Sequence, residues 1–471
     1  MLQSIINFLP ELALCAGICH LLILAAFSFD APRVYASGAR FWLIISLLLS
    51  ILFYDRQIVG YLQYNAYTLL FTIIGDIGIY ALFFLTSTWF TAKNITGCAY
   101  NILLLISIIC FNVMLASVNL MIVFGAFSTL FIINEGFYYI YHSEDETDAT
   151  NNYSTSLIIL AIFIISFAYL WYRVEGTLEF APLQEFFIEN KTSLAVYSAM
   201  IGLIIPFLYL LGIAPFHNVL ETRIGKSILP VAHYEAVILP IFLWGEIIKM
   251  AHLMFLPYAA SLTLALSTLG IFSMIVGAIA ANTDNKIQQL YMHSSMYHFG
   301  IVLILLSLAD ISAEFAGFIY LFMYMTGLAA AYSVGYNLKS HGEYLLKVSS
   351  LSGLAQTRPC SANILLLSLF SIIGLPPLAG FIGQISLVNQ LINQGKYIYL
   401  IVIYTFLVWL TKAYLQMIRT IYFQQKIKIF DTENKKVLMI MFLMTIIILS
   451  QAFNPLEMVE KIKDMFYVIA L

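Results

Sequence analysis

Gly374-Leu375-Pro376-Pro377 interrupts an apolar run that extends from residue 360 to residue 394. About 20 residues carry an α-helix across a bilayer core, so the run is too long for one straight crossing. A proline inside a helix removes a backbone hydrogen bond and drives its ring against the preceding turn. The stretch therefore predicts two half-helices broken at Gly374, Pro376 and Pro377. In a membrane such a break persists only where protein or a wet cavity satisfies the freed backbone groups. The segment thus predicts a bundle with a polar interior, not an anchor.

Composition points the same way. Of 471 residues, 62% are hydrophobic and 10% charged, against roughly 45–50% and about 25% in soluble domains. A mean hydropathy of +0.92 excludes an ordinary soluble protein, and disorder needs the opposite balance. The formal net charge of −3 offers no basic surface for nucleic acid. A window of about 19 residues places fourteen crossings in an all-α membrane protein. They lie at 4–27, 38–54, 66–90, 98–117, 119–141, 154–172, 192–213, 230–254, 258–282, 286–309, 312–336, 360–394, 397–422 and 436–453. Ser143–Asp148 reads as a solvated acidic loop, and 173–191 as a longer loop with a short interfacial helix at Leu183–Phe187. No nucleotide fingerprint or soluble domain is visible. Cys15 and Cys19 lie beside His20, but no second cluster supplies further ligands, so they read as buried small apolar residues and no metal site is expected.

The basic residues orient the chain. The odd-numbered loops carry thirteen of the 22 and the terminal side six, leaving Lys249, Lys412 and Arg419 within crossings. That bias puts the odd loops on the negative side of the membrane and both termini on the positive side. Arg419 is near a segment end and can snorkel. Lys249 and Lys412 lie deeper, where a charge costs about 2.5–3.5 kcal/mol on insertion scales and by default marks function. Glu246, three residues before Lys249, offsets part of that cost. Asp76 interrupts the third crossing between Gly75 and Gly78 and reads as structural, and Glu135 lies inside the fifth. His298 in the tenth can hold or pass a proton near neutral pH. Gln384, Asn389, Gln390, Asn393 and Gln394 on the second half of the broken segment can hold water. Sparse titratable groups, amides and a helix break describe proton or cation translocation along a hydrated path.

Three motifs carry a family resemblance: Ala214-Pro215-Phe216-His217, the Ser294-Ser295…His298…Gly300 stretch, and Gly374 through Gly383. Together, and with Leu9-Pro10-Glu11 near the start, they resemble the antiporter-like membrane subunits of respiratory complex I. Among these the length and the early motif fit NADH dehydrogenase subunit 2 in its fourteen-helix form. The resemblance implies two inverted five-helix repeats, each with a broken helix. The expected divisions are 1–118 for the N-terminal helices, 119–254 and 258–422 for the repeats, and 423–471 for the last helix and tail. It further implies flavin, iron–sulfur clusters and quinone in partner subunits and none in this chain, with other membrane-arm subunits and membrane lipids as partners. Thirty Tyr and 36 Phe against five Trp suggest organellar coding, hence a mitochondrial inner membrane.

The departures are as specific as the match. The family glutamate of the fifth helix falls on Ser128, with Glu135 two turns further along the same face. The family lysine before Ala-Pro-Phe-His falls on Leu210, and the one after Gly-Phe-Ile-Gly on Gln384. Lys249 nearly keeps the spacing of the next central lysine from His233-Tyr234-Glu235-Ala236. Two readings stay open. Either protons pass through a relocated set, Glu135, Glu246, Lys249, His298 and Lys412, with Ser128, Gln384 and Asn389 along the hydrated path, or the chain is a structural spacer in the complex. A free-standing cation/proton antiporter is a third possibility, though it would be expected to keep the missing lysines.

Overall fold

The computed structural model describes residues 8–27, 31–54, 56–58, 61–141, 146–174, 178–191, 193–255, 259–425, 430–453 and 455–468. Helices dominate. In chain order they are α1 Leu9–Ala26, α2 Pro32–Leu52, α3 Ala66–Lys93, α4 Cys98–Ala116, α5 Leu120–Tyr141, α6 Glu146–Arg173 and α7 Phe180–Glu189. Then come α8 Leu194–Leu210, α9 His217–Lys226, α10 Leu229–Leu253, α11 Ala259–Ala280, α12 Ile287–Leu306 and α13 Ile311–Gly335. The last are α14 Pro359–Ile373, α15 Ala379–Asn393, α16 Tyr397–Phe423, α17 Lys435–Phe453 and α18 Pro455–Tyr467. Two antiparallel hairpins, Arg56–Ile58 with Leu62–Tyr64 and Lys339–Ser340 with Glu343–Tyr344, are a minor departure from the all-α expectation.

Ten of the described helices are long and apolar enough to cross a membrane. The other four expected crossings fall on α8, on the split pair α14/α15, and on α12 and α17. The order of three helices, a split helix and one more helix occurs twice, over α4–α10 (with the short α7 inserted) and over α11–α16. Local chemistry sets the ends. Asn65 caps α3 by accepting from the Thr68 amide at 3.1 Å, as an N-cap amide should. Gly374, at φ +88°, closes α14 in the left-handed conformation that costs glycine nothing.

The break at 374–378 lies where it is expected. The residue pattern placed a single unbroken crossing at 192–213, but the chain breaks between Leu210 and His217, so Ala214-Pro215-Phe216-His217 is the joint of a second split helix. Of the expected acidic loop, Glu146, Thr147 and Asp148 begin α6 instead; Ser143, Glu144 and Asp145 lie outside the described residues. The short helix expected at Leu183–Phe187 spans Phe180–Glu189. Cys15 and Cys19 are exposed rather than buried.

Residue contacts divide the chain into two units: Met1–Leu210 with Phe242–Tyr258 and Asp464–Leu471, and Leu211–Ile241 with Ala259–Lys463. In the first, Gly75 admits the Phe242 ring so closely that a Cβ there would lie 1.9 Å from it. Phe242 stacks on Phe111 at 4.0 Å, and the Tyr67 hydroxyl donates to the Gly245 carbonyl at 2.7 Å. These contacts join α3, α4 and the end of α10. In the second unit α11 and α12 approach through Gly270, Gly277 and Gly300, each facing backbone of the other helix, the small-residue contact favoured between membrane helices.

At one end of the second unit Asp431 holds the second hairpin, accepting from the His341 and Gly342 amides at 2.8 Å each. The Gly342 amide leads the contacts that pull its carboxyl below the ordinary value. A depressed acid contributes stability above its unfolded value and loses it as pH falls through the folded one. Hydrogen exchange at His341 and Gly342 is therefore expected to stay slow at neutral pH and accelerate only below about 3.9, the ordinary aspartate range. In Asp431→Asn it should be faster at neutral pH and insensitive to acid.

Candidate functional site

In the first unit Lys249 is 4% exposed and Glu246 is fully buried, their charged atoms 2.8 Å apart. The ammonium also donates to the carbonyls of Met114, Leu115 and Ser117 at 2.7, 3.0 and 2.8 Å. These carbonyls lie at the C-terminal end of α4, where helix geometry leaves oxygens unpaired and cations are favoured. The lysine therefore has an acid on one side and a carbonyl cradle on the other. It borders a cavity of about 370 Å³ lined also by Asn65, Thr68, Glu179 and Gln184, polar enough and large enough for several waters. Oε1 of Glu246 has no hydrogen-bond partner.

Glu135 is reached by a second route. Ser156 donates to its carboxylate at 2.9 Å and lies 2.7 Å from the Tyr209 hydroxyl. With the serine proton committed to Glu135, Tyr209 is the donor to Ser156. Tyr209 immediately precedes Leu210, so the acid communicates with the end of α8 through two hydroxyls. Ser128 lies two turns before Glu135 on the same face of α5, half-buried, its hydroxyl without a partner.

The second unit contains a chain of hydroxyls. Tyr414 donates to Ser294, Ser294 lies 3.4 Å from the Tyr324 hydroxyl, and Tyr324 lies 2.8 Å from Ser295, which donates to the Tyr291 carbonyl at 3.0 Å. Each hydroxyl has an acceptor ahead of it, the arrangement along which a proton can be handed on. His298 stacks on Tyr324 at 3.9 Å, and its Nδ1 is 2.8 Å from the Tyr320 hydroxyl. At the break, the Tyr404 hydroxyl donates to Gln384 at 3.1 Å. Toward the loops Tyr291 meets Tyr332 edge-on at 5.2 Å, and Tyr332 stacks on His233 at 5.1 Å. A cavity of about 20 Å³ lies between Tyr291, Tyr332 and Gln288, about the room one water needs.

A polar group surrounds α9 in the same unit. Arg223, 3% exposed, pairs with Glu235 at 3.3 Å; it is a buried residue, not the loop residue that the charge count made it. His293 meets Asp284 at 2.7 Å, and Gln289 donates to Glu221 at 3.2 Å.

The structure thus brings Glu246 with Lys249, Glu135 with Ser156, and His298 with a tyrosine network. It does not bring in Lys412 or Asn389. Lys412 is on the exposed face of α16, 5.7 Å from the Trp409 ring, although Tyr414 two residues on is buried. Asn389 is also exposed, and its neighbour Gln390 turns inward to donate to Asp310 at 2.9 Å. Tyr320, Tyr324, Ser156, Tyr209 and Arg223 are functional candidates that sequence reading passed over. The signal for Tyr320 and Tyr324 is their i, i+4 spacing, which puts both on the face that meets His298.

Two split membrane helices, with buried ionisable groups linked by hydroxyls and carbonyls, define an antiporter-type membrane subunit. The family described as NADH:quinone oxidoreductase/Mrp antiporter, transmembrane, matches residues 137–411, more than half of the chain, and the chain belongs to it. NADH-quinone oxidoreductase subunit N of Pelagibacter ubique is 24% identical over 446 residues, 91% of this chain and 92% of that one. The subunit N of Paramagnetospirillum magneticum is 25% identical over 300 residues, 62% of each. Two solved structures share the fold. A chain of respiratory complex I from Thermus thermophilus with bound aureothin has a TM-score of 0.77 at 17% identity, covering 95% of this chain and 97% of its own. A chain of the Mrp complex from Dietzia sp. DQ12-45-1b has a TM-score of 0.82 at 15% identity, covering 100% and 98%.

Proposed function

We propose that this chain is the antiporter-like subunit N of a proton-pumping NADH:quinone oxidoreductase and that it carries protons itself. The buried Lys249–Glu246 pair beside a polar cavity supports this reading most directly. A buried ion pair is expensive to keep and, within a membrane helix, by default marks an ion pathway. Flavin, iron–sulfur clusters and quinone belong to partner subunits, and the chain itself performs no redox step. The Phe- and Tyr-rich, Trp-poor composition favours a mitochondrial inner membrane, and the basic-residue bias puts both termini on its positive side. In the second unit the hydroxyl chain from Tyr414 to Ser295, with His298, stands in for the charge missing at Gln384.

Two measurements test this. In a mild-detergent native gel the chain is expected to migrate with flavin- and iron–sulfur-containing subunits. Migration in a small assembly without them would overturn the complex I reading in favour of an Mrp-type antiporter, whose likeness in fold is as strong. In reconstituted vesicles, Tyr324→Phe is expected to leave NADH oxidation coupled to quinone reduction but lower the protons moved per NADH. The missing hydroxyl interrupts transfer between Ser294 and Ser295 while costing only about 1 kcal/mol of stability. An unchanged proton yield would remove the hydroxyl chain from the path.

A further inference from the structure

A buried acid in the N-terminal helices has no role in the path so far described. Asp76 on α3 is 1% exposed, and neither carboxyl oxygen has a hydrogen-bond partner. Thr68 and Thr72 precede it by eight and four residues, and both are buried on the same helix. At 1.5 Å per residue they form steps of about 6 Å along one face. Thr68 lines the Lys249 cavity, and Thr72 donates to the Asn112 side chain of α4 at 3.2 Å. A polar column therefore runs from the cavity into the helix packing and ends at Asp76.

Other polar groups reach the same depth. Arg40 of α2 lies over the Phe84 ring of α3 at 5.0 Å. Counting from that contact along the two antiparallel helices puts Asp76 between the levels of Ser46 and Ser50, both buried, and Ser46 Oγ has no partner. His20 and Gly17 of α1 meet Trp42 of α2, and the same counting puts buried Glu11 at this depth. On α4 the titratable group nearest this level is Cys110, and on α10 it is Glu246, nearer the cavity. No described basic side chain is placed here by these counts.

An ionised carboxylate without a partner is costly in such surroundings, so the acid favours its protonated form, and unpartnered buried polar groups call for a proton, an ion or water to complete them. We propose that Asp76 is a proton-holding site, loaded through Thr68, Thr72 and Asn112 from the Lys249 cavity. The inference rests on the reading that this chain carries protons. In it the acid takes a proton that leaves the Glu246–Lys249 pair and is passed along the hydroxyls of the column, and it returns the proton to that pair by the same route. Each transfer breaks one O–H bond, or at Lys249 one N–H bond, as one O–H bond forms at the acceptor.

The test uses the intact complex in vesicles. Infrared difference spectra between resting and energised states should contain a protonated-carboxyl carbonyl band that disappears in Asp76→Asn and shifts in Asp76→Glu. Asp76→Asn should also lower the protons moved per NADH, whereas Thr72→Val, which keeps the acid, should slow loading of the band. A carboxyl band unaltered in Asp76→Asn would overturn the proposal. So would a band lost in Asp76→Asn with the proton yield unchanged, which would leave the acid purely structural. If Lys249→Met also left the yield at the wild-type value, the failure would lie in the proton-carrying reading itself.

Discussion

Lys249→Met is expected to reduce assembly of the chain into its complex and to abolish the chain's share of proton transfer. Glu246 is fully buried and its ion-pair partner is Lys249, 2.8 Å away. Removing one partner of a buried pair leaves an uncompensated charge and costs about 3–5 kcal/mol. The carbonyls of Met114, Leu115 and Ser117 lose their shared donor as well. The double variant Lys249→Met with Glu246→Gln removes both charges and should recover most of the assembly, because a neutral pair need not be compensated. It should not recover proton transfer. Lys249→Arg separates the two roles from the other side: a guanidinium keeps the charge and several donors, and the cavity gives it room, but it does not release its proton in proteins. Assembly near wild type with a lost proton yield is the expected result, read by native-gel abundance and by protons per NADH. Full proton yield in the arginine variant would make the pair a structural clamp on the end of α4.

The parts of this fold that were legible in sequence are those set by local covalent chemistry. Pro376 and Pro377, adjacent to one another and close after Gly374, end α14 through their own backbone chemistry. The break after Leu210 has one proline, Pro215, just beyond the expected 192–213 crossing, where it reads as an ordinary terminus, while Pro206 inside that crossing leaves α8 unbroken. Facing is what hydropathy does not provide. Lys412 and Tyr414 lie two positions apart on a helix and therefore on different sides, the tyrosine inward and the lysine outward; a charge inside a crossing announced a polar residue, not a buried one. Asn389 and Gln390 repeat the point one position apart. The hydroxyl chain was hidden differently: tyrosines count toward the apolar total of a membrane segment, and only tertiary packing shows that Tyr320, Tyr324 and Tyr414 aim their polar tips at His298 and the two serines. Arg223 was hidden by its position in a connection, because the pairing that buries it is with Glu235 on the next helix.

Gly380→Ala is expected to be the most damaging single-carbon change in the second unit. A Cβ at that position would lie 1.7 Å from the Ser371 carbonyl oxygen and 2.9 Å from its carbon. Both are backbone atoms of α14 and cannot rotate away. The contact is the crossing of the two half-helices, where the Gly380 amide also donates to the Ser371 hydroxyl at 3.2 Å. Relief requires α15 to move off α14, and α15 carries Gln384, which packs against Gly374 and accepts from Tyr404, and Gln390, which donates to Asp310. The cost should reach about 3 kcal/mol, the upper range for an overpacked site, seen as a lower melting temperature of the detergent-solubilised complex and as reduced abundance. Gly125→Ala is the matched control. Nothing lies within 4 Å of its added carbon, and replacing a mid-helix glycine there should stabilise α5 by roughly 0.5–1 kcal/mol. Opposite signs for the same added methyl would place the constraint at the half-helix crossing; equal, small effects would mean that α14 and α15 separate at little cost and that Gln384 is not held where the hydroxyl network needs it.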